Sequence, residues 1–332
     1  MIALDALGAD GGPGVVAEGA RRTGLEVLLF GPAAELGPVA DGAEVVDTSV
    51  GIDAGEEPAA AVRRTPEASI VRAAEAVGQG RAQALVSAGP TGAALAASVL
   101  YVKRLQGVHR PAIAVLLPVP GRPTLLLDAG ANAEVRPEHL VQFAYLGAAF
   151  MEAAHGVERP RVGLLFVGHE VGKGTPDVVE AHGRIGEGPL NFVGNVEGHD
   201  LTRGTCDVVV TDGFTGNVAL KSIEGTAKAV VDAVRQAVRS GPLSTIGGLL
   251  IRGRVGSLRS QLDPNAVGGA MLLGLRSVVV IAHGGSSPDG IAAAVQLARR
   301  AVDERMVERT RAALEAGGAL RSAPTASVGD HG

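Results

Sequence analysis

The stretch Cys206–Gly225, CDVVVTDGFTGNVALKSIEG, sets the pattern of the whole chain. Val208–Val210 are typical of a buried parallel strand, and the sequence DGFTG at 212–216 predicts a tight turn that leads into a helix. Such a turn presents backbone N–H groups and a positive helix-dipole end, which favour an anion. Asn217 and Lys221 are four residues apart and therefore share one face of that helix. An ordinary strand-to-helix turn with a solvated lysine is the alternative.

The composition indicates a globular α/β protein and disfavours nucleic-acid binding. The 332 residues are 46% hydrophobic, which is enough for a full core. With 48 glycines, only 2% aromatic residues and a net charge of −5, the chain is poorly suited to base stacking or to general contact with nucleic acid. Its one cysteine, Cys206, excludes an internal disulfide, and its place beside a buried strand favours core packing over nucleophilic chemistry.

No targeting or membrane-spanning segment is expected. The N-terminal sequence MIALDALGADGGP begins with a strand and has no basic region. No uncharged apolar run approaches the ~20 residues of a membrane span. We therefore expect a cytoplasmic protein.

One unit recurs along the chain: an apolar strand, a turn rich in Gly and polar residues, and a helix. Strands of this kind are predicted at 2–4, 84–87, 122–128, 161–167 and 277–282. The alternation of strands and helices predicts a mostly parallel sheet that is covered by helices on both faces. Because the carboxyl ends of parallel strands meet at the same side, we expect the polar turns to line one edge of the sheet.

Three of these turns supply candidate site residues. In the turn after strand 84–87, the hydroxyls of Ser87 and Thr91 and the amides near them suit an oxyanion, although Thr91 can also be a simple helix N-cap. Asp128, Asn132 and His139 are expected to converge beyond another strand end. A single histidine such as His139 also has a structural interpretation. His283 follows the last strand, 277–282, and is expected at the edge of the site.

The segment NFVGNVEGHD, 191–200, contains Asn195, Glu197 and Asp200 in a polar turn. Carboxylates this close together suit either a metal ion or a solvated loop. Because no histidine stands at clear ligand spacing, we favour the loop and expect no metal.

The helix that carries Lys221 has a second apolar pattern. A seam with alternating spacings of three and four runs from Leu220 to Ala237, as in a coiled coil, and it can pack on its own core or on a partner. A Gly-broken apolar segment follows, and five arginines fall between Asp232 and Asp263 without an acidic residue. An apolar tip among arginines suits an anionic membrane surface or an acidic protein, while a loop over the core is the alternative. The tip residues are Leu243, Ile246, Leu249, Leu250 and Ile251.

Blocks of the sequence resemble the bacterial phosphate acyltransferases of phospholipid synthesis, the PlsX type. The resemblance covers residues 1–312, and its most specific parts are the LLDAGAN, PEHLVQFA, GNVEG and TDGFTGN blocks. The blocks follow in this order: IALDALGADGGP, SAGPTGA, RPAIAVLLP, LLDAGANAEVRPEHLVQFA, RVGLLFVGHEVGKG, NFVGNVEGHD, DVVVTDGFTGNVALKSIEG, GGAMLLGL and AHGGSS.

The resemblance implies the formation of acyl phosphate from long-chain acyl-acyl-carrier protein and inorganic phosphate, with no cofactor. It implies a three-layer αβα fold like that of isocitrate and isopropylmalate dehydrogenase. We expect one catalytic domain at 1–322, followed by a disordered tail at 323–332. The resemblance also implies a projecting helical hairpin at 217–262 that forms part of a homodimer interface and binds peripherally to an anionic membrane. A glycerol-phosphate acyltransferase in that membrane would be a partner.

Several positions depart from the family pattern. Pro90 stands where the phosphate turn has Asn, and it removes a side-chain amide from that turn. His169 replaces Glu, and His199 replaces Arg. The remaining departures are Ala9 for Gly, Phe166 for Asn, Val267 for Tyr and Met271 for Pro.

A phosphate dianion is itself a nucleophile, so this reaction needs positioning and oxyanion stabilisation rather than a catalytic triad. Lys103, Arg104 and Arg110 would steer the acidic carrier protein. The expected residues are Ser87, Gly89, Thr91, Gly92 and Gly213 for phosphate, Lys221, Asn217, Asp212, His139 and His283 for catalysis, and Asp128 and Asn132 for substrate orientation.

Three other functions remain open. A metal-dependent decarboxylating dehydrogenase would need a nicotinamide site and a cluster of metal-binding aspartates, which the sequence does not show. A phosphotransacetylase would accept acyl-CoA, and a non-catalytic membrane-associated scaffold would consume no thioester.

Overall fold

The computed structural model describes residues 1–37, 43–117, 123–242, 244–245, 247 and 268–320. Its strands form one eleven-stranded sheet in the order β3-β2-β1-β4-β11-β10-β5-β6-β9-β7-β8. The strands are β1 Ile2–Asp5, β2 Val27–Gly31, β3 Glu44–Asp47, β4 Ala84–Ser87, β5 Ala112–Leu117, β6 Thr124–Leu127, β7 Arg161–Leu165, β8 Asn191–Val196, β9 Val208–Val210, β10 Ala270–Leu273 and β11 Val278–Ile281.

The described helices cover both faces of this sheet. They are α1 Pro13–Thr23, α2 Ala33–Leu36, α3 Pro58–Arg64, α4 Ser69–Gly78, α5 Thr91–Ala97, α6 Pro137–His155, α7 Pro176–Gly186, α8 Gly213–Arg239, α9 Pro288–Asp303 and α10 Met306–Ala316. A π-helical turn, Ser98–Val102, continues α5, and a 3₁₀ helix, Gly198–Thr202, follows β8. Among the described residues, no helix has the length and apolar content that crossing a membrane requires.

Two apolar clusters, one on each face of the sheet, make up the core. Alternate strand residues point to opposite faces, so Leu4 packs in one cluster while Ala3 packs in the other. The first cluster includes Phe143 of α6, and the second includes Leu220 of α8. The predicted three-layer α/β architecture is therefore confirmed.

The sheet contains two parallel blocks that run in opposite directions. β3, β2, β1, β4 and β11 form one block, and β6, β9, β7 and β8 form the other. Between the blocks, β10 is antiparallel to both β11 and β5, and β5 is antiparallel to β6. Three reversals leave the second block inverted relative to the first.

The expectation that several polar turns line one edge is met within each block, but the turns of the two blocks lie at opposite edges, because β10 and the β5–β6 pair invert the second block. The turns after β1, β4 and β11 form one edge, which we call the Ser87 edge. The turns after β6, β9, β7 and β8 form the opposite edge, which we call the Asp128 edge.

Two helices follow β11 near the C-terminal end. α9 and α10 are separated at Arg305, whose φ of 52° is in the left-handed region. The apolar tip residues Leu243, Ile246 and 249–251 lie outside the described residues, as does the expected tail at 323–332.

Candidate active site

A buried carboxylate organises the Ser87 edge. Asp5, at the end of β1, is 2% exposed, and its Oδ1 and Oδ2 accept hydrogen bonds from Ser69 Oγ at 2.5 Å and Ser87 Oγ at 2.7 Å. Burial raises the pKa of Asp5 to about 6, although the hydrogen bonds from Ser69, Ser87 and Leu7 act in the opposite direction. Sequence reasoning did not select Asp5 or Ser69, and the only local signal was the position of Asp5 at a strand end.

Ser87 supports the turn that follows it. Its side chain is buried, and its Oγ accepts a hydrogen bond of 3.0 Å from Gly89 N while donating to Asp5. The next residues, Thr91 and Gly92, begin α5, where the first N–H groups of a helix have no acceptor within the helix. Within the predicted phosphate turn, Ser87 therefore has a structural role, since its side chain holds the turn in place. Thr91 and Gly92 form the start of the helix that follows.

Two further turns face this helix start. Gly8, with φ of 90°, packs closely against Gly89: a Cβ atom added to Gly8 would lie 2.7 Å from the Cα atom of Gly89. Asp10 N donates to Gly284 O at 2.9 Å, which joins the opening turn to the turn after β11. In that turn, His283 is exposed, and its Nδ1 accepts a hydrogen bond of 3.0 Å from Gly285 N. Since Nδ1 is an acceptor, the neutral imidazole carries its proton on Nε2, where it can be donated.

Asp128 is the centre of the opposite edge, and it is fully buried. Its Oδ1 accepts from Ile113 N at 2.9 Å and Ala131 N at 3.0 Å, and its Oδ2 accepts from Asn132 N at 2.7 Å and Asn132 Nδ2 at 2.8 Å. Burial raises the pKa of Asp128, and these hydrogen bonds oppose that shift. Asn132 Nδ2 also donates to Pro111 O at 2.8 Å. The side chains of Asp128 and Asn132, which were expected to orient the substrate, therefore stabilise the conformation of the turn.

The start of α8 docks directly on that turn. Gly213 N donates to Asn132 O at 2.7 Å, and Asp212 caps the helix by accepting from Thr215 N at 2.8 Å through its Oδ1. A Cβ at Gly213 would lie 2.7 Å from Asn132 O, so glycine is required there by close approach. The predicted strand, turn and helix are confirmed. Two N–H groups of this helix start are nevertheless already bonded to protein acceptors.

Lys221 and Asn217 lie on one exposed face of α8, as their spacing predicts. Lys221 Nζ is 2.8 Å from Glu224 Oε2 on the same helix. The Asn217 side chain lies beside the glycine turn at Gly130. Both residues belong to the Asp128 edge. Within a single copy of the chain they therefore lie at the opposite edge of the sheet from Ser87 and Thr91.

His139 has a local role at the start of α6. Its Nδ1 accepts from Arg136 N at 3.2 Å, and its ring lies 5.6 Å from that of His109. Burial lowers the pKa of His139. Its neighbour Gln142 accepts from His109 N at 2.8 Å and donates to Gly107 O at 2.9 Å. Within the described part of the chain, no hydrogen bond joins His139 to the Asp128 turn.

Cys206 is a core residue, as expected. It is 1% exposed, and burial raises the pKa of its thiol to about 11. A thiol with that pKa is almost entirely un-ionised at neutral pH, so it is a poor nucleophile.

Comparisons with known structures show where else this fold occurs. The chain is similar to a phosphotransacetylase from Streptococcus pyogenes, with a TM-score of 0.61 and 16% identity over 93% of this chain and 94% of that one. It is also similar to 4-hydroxythreonine-4-phosphate dehydrogenase from Klebsiella pneumoniae, with a TM-score of 0.52 and 14% identity over 90% of this chain and 98% of that one. At these identities the likeness concerns the fold, and it confirms the predicted dehydrogenase-like architecture.

Sequence comparisons identify the family. The family model described as "Fatty acid synthesis protein" matches residues 1–309. A protein of Thermobifida fusca (strain YX) named phosphate acyltransferase is 44% identical over 94% of this chain and 90% of its own length. A phosphate acyltransferase of Geobacillus sp. (strain WCH70) is 43% identical over 95% of this chain and 98% of its own length. The chain therefore belongs to the fatty acid synthesis protein family, together with these phosphate acyltransferases.

Proposed function

We propose that this chain forms acyl phosphate from long-chain acyl-acyl-carrier protein and inorganic phosphate, as an early step of phospholipid synthesis. The main structural support for the proposal is the Ser87 edge. There a glycine turn, held in place by the hydrogen bonds of Ser87 to Asp5 and Gly89, leads into the start of α5. Such a start binds phosphate through its amides and its dipole. Membership of the phosphate acyltransferase family supports this assignment.

Phosphate would bind the amides of Thr91 and Gly92 and the Thr91 hydroxyl. A phosphate oxygen attacks the thioester carbonyl carbon, so a C–O bond forms and the C–S bond breaks, and the thiolate of the carrier leaves with the bonding electrons. His283 Nε2–H would donate a hydrogen bond to the tetrahedral oxyanion. Ser87 and Asp5 act by holding the turn in position before the substrate arrives.

Lys221, Asn217 and Asp212 form the proposed second part of the catalytic machinery. Their location on the Asp128 edge means that they serve the reaction only if the substrates, or a second copy of the chain, reach that edge. Lys221 would also have to leave Glu224 to contact an anion. A comparison of variants at the two edges separates these roles.

A basic surface supports the proposed contact with acyl-carrier protein. Lys103, Arg104 and Arg276 are exposed, and no ion pair with a carboxylate is found for them within the residues that the structure describes. Arg276 Nε donates to Arg104 O at 3.2 Å, which places these two residues side by side. They adjoin an open groove between α4 and α10 that is lined by Leu105, Arg276 and Arg311 among others. An acidic carrier protein complements this charge.

An exposed apolar face of α8 supports the proposed homodimer. Leu220 packs into the core, but Val230 and Val234, farther along the predicted seam, are 56% and 44% exposed. A second copy of the chain would cover them. We further propose that the tip at 243–251 binds an anionic membrane from the cytoplasmic side and brings the enzyme close to a membrane glycerol-phosphate acyltransferase.

The test supplies purified protein with acyl-acyl-carrier protein or with acyl-CoA, each with and without phosphate, and detects acyl phosphate by mass spectrometry. The proposal expects phosphate-dependent product with the carrier-bound donor. If phosphate-dependent product forms from short acyl-CoA but not from acyl-acyl-carrier protein, the protein is instead a phosphotransacetylase. The absence of any phosphate-dependent loss of thioester would leave only a non-catalytic role.

A further inference from the structure

Four side chains with metal-binding groups meet where β7 and β8 end. His169 follows β7, and Glu197, His199 and Asp200 follow β8. His169 Nε2 lies 3.7 Å from Glu197 Oε1 and 3.9 Å from Asp200 Oδ2. His199 Nε2 lies 3.5 Å from Asp200 Oδ1, and the two imidazole centres are 6.3 Å apart. One ligand atom from each of His169, His199 and Asp200 lies within 4.8 Å of the other two.

The backbone orients one of the two imidazoles. His169 Nδ1 is 3.1 Å from Asn195 O, and because a carbonyl oxygen only accepts, this contact places the His169 proton on Nδ1. Nε2 therefore carries a lone pair, and it points toward the carboxylates of Glu197 and Asp200. A carbonyl that fixes the tautomer of a ligand histidine is the usual arrangement around a protein-bound metal ion.

The carboxylate of Asp200 is held in place before any ion binds. Its side chain is 7% exposed, and its Oδ2 accepts a hydrogen bond of 2.9 Å from Glu197 N. Its Oδ1 is left facing His199. The imidazoles of His169 and His199 are 59% and 47% exposed, so they are free to close by about 1 Å around an ion with ligand bonds near 2.0–2.2 Å.

The local charge favours a cation. Two carboxylates, Glu197 and Asp200, face the two imidazoles of His169 and His199. A second cluster with suitable groups among the described residues is His109, Glu138 and His139, and two arginines, Arg110 and Arg136, act on it. There burial is the main cause that lowers the pKa of His139, and Arg110 and Arg136 add to that shift while Glu138 opposes it.

We propose that His169, His199 and Asp200, with Glu197 or a water as the fourth ligand, bind one Zn²⁺ ion. Two imidazole nitrogens and a carboxylate oxygen match the ligands and the coordination number that zinc prefers. The ion joins the loop after β7 to the 3₁₀ helix after β8, two segments that are 30 residues apart in the chain. The site lies on the Asp128 edge, which also carries the proposed catalytic residues Asp212 and Lys221, but the inference rests on the ligand geometry and not on the proposed function.

The full-length protein, stripped with a chelator and dialysed, is titrated with ZnCl₂ in competition with a chromogenic chelator. We expect one Zn²⁺ per chain, an affinity at least about 10-fold weaker for His169→Ala and for His199→Ala, and an unchanged affinity for His283→Ala, which removes an exposed imidazole from the other edge. Mg²⁺ should not compete, because it prefers oxygen ligands.

The double variant His169→Glu and His199→Arg separates metal binding from folding, because it replaces the imidazoles with a pair of opposite charges. Zn²⁺ should raise the melting temperature of the wild type but not that of this variant. Failure of the wild type to bind Zn²⁺, or equal binding by the wild type and the double variant, would overturn the proposal.

Discussion

The backbone carbonyl of Asp128 occupies the space into which a Cβ atom of Gly216 would project. This contact locks the start of α8 against the turn that ends β6, next to the hydrogen bond from Gly213 N to Asn132 O. Two elements that are about 90 residues apart in the chain thus pack closely because Gly216 has no side chain.

Gly216→Ala is therefore expected to destabilise the protein strongly, by about 3 kcal/mol or more, because the backbone of the Asp128 turn must move. Gly225→Ala on the same helix is the matched control. Gly225 has open space around it, so the alanine should stabilise the helix by about 0.5–1 kcal/mol. Denaturant unfolding of both variants measures the two effects. Equal stability of the two variants would contradict the close packing.

The buried carboxyl of Asp5 predicts a specific pH dependence of stability. Its pKa in the folded state, about 6, lies above its ordinary value of 3.8, so folding favours the protonated form. The resulting stabilisation is complete below the unfolded pKa and is lost as the pH rises through about 6. Relative to Asp5→Asn, the wild type should lose about 3 kcal/mol of unfolding free energy between about pH 4 and about pH 8.

Chemical denaturation at several pH values measures this difference. Asp53→Asn, which removes an exposed carboxylate, controls for general charge effects. A wild-type-minus-Asp5→Asn difference that is flat with pH, or that rises, would mean that Asp5 ionises normally in the folded protein.

Lys221→Ala is expected to remove most acyl-phosphate formation while the protein stays folded. The exposed Lys228 on the same helix provides the control, Lys228→Ala, which should retain activity. The measurement is the steady-state rate with acyl-acyl-carrier protein and phosphate, alongside circular dichroism. Full activity of Lys221→Ala would confine the chemistry to the Ser87 edge.

Pro90 precedes α5 with φ −57° and ψ 123°, a conformation that asparagine also adopts. Pro90→Asn adds an amide donor to the proposed phosphate turn and should lower the KM for phosphate by about 5-fold, which corresponds to one additional hydrogen bond of about 1 kcal/mol. Thr91→Ala should raise that KM, and neither variant should change the KM for the acyl donor. Unaltered phosphate KM values in both would place the phosphate elsewhere.

The sequence predicted those elements whose signals are local. β4 was predicted with its observed bounds, Ala84–Ser87, because a short apolar run stands between turn residues. α6 begins at Pro137, and proline is favoured at the first position of a helix, so this boundary also has a local signal. β10 was missed as a strand, and its antiparallel insertion inverts half of the sheet. Strand direction depends on pairing with distant residues, and hydrophobic periodicity carries no information about it.

The candidate sites show the same limit. The turn residues after β4 could be selected because glycine, threonine and a helix start are adjacent in sequence. Asp5 could not be assigned a role, because its partner Ser69 is 64 residues away. His169 stands 30 residues before His199, so no ligand spacing was visible until the ends of β7 and β8 were brought side by side.

The most direct test of the central claim uses phosphate that carries ¹⁸O in all four oxygens. Purified protein is incubated with it and long-chain acyl-acyl-carrier protein, and the products are analysed by mass spectrometry. Attack by phosphate on the thioester predicts an acyl phosphate that retains all four labelled oxygens, including the one that bridges to the acyl carbon. Release of free fatty acid with an oxygen from water, and no labelled acyl phosphate, would contradict it.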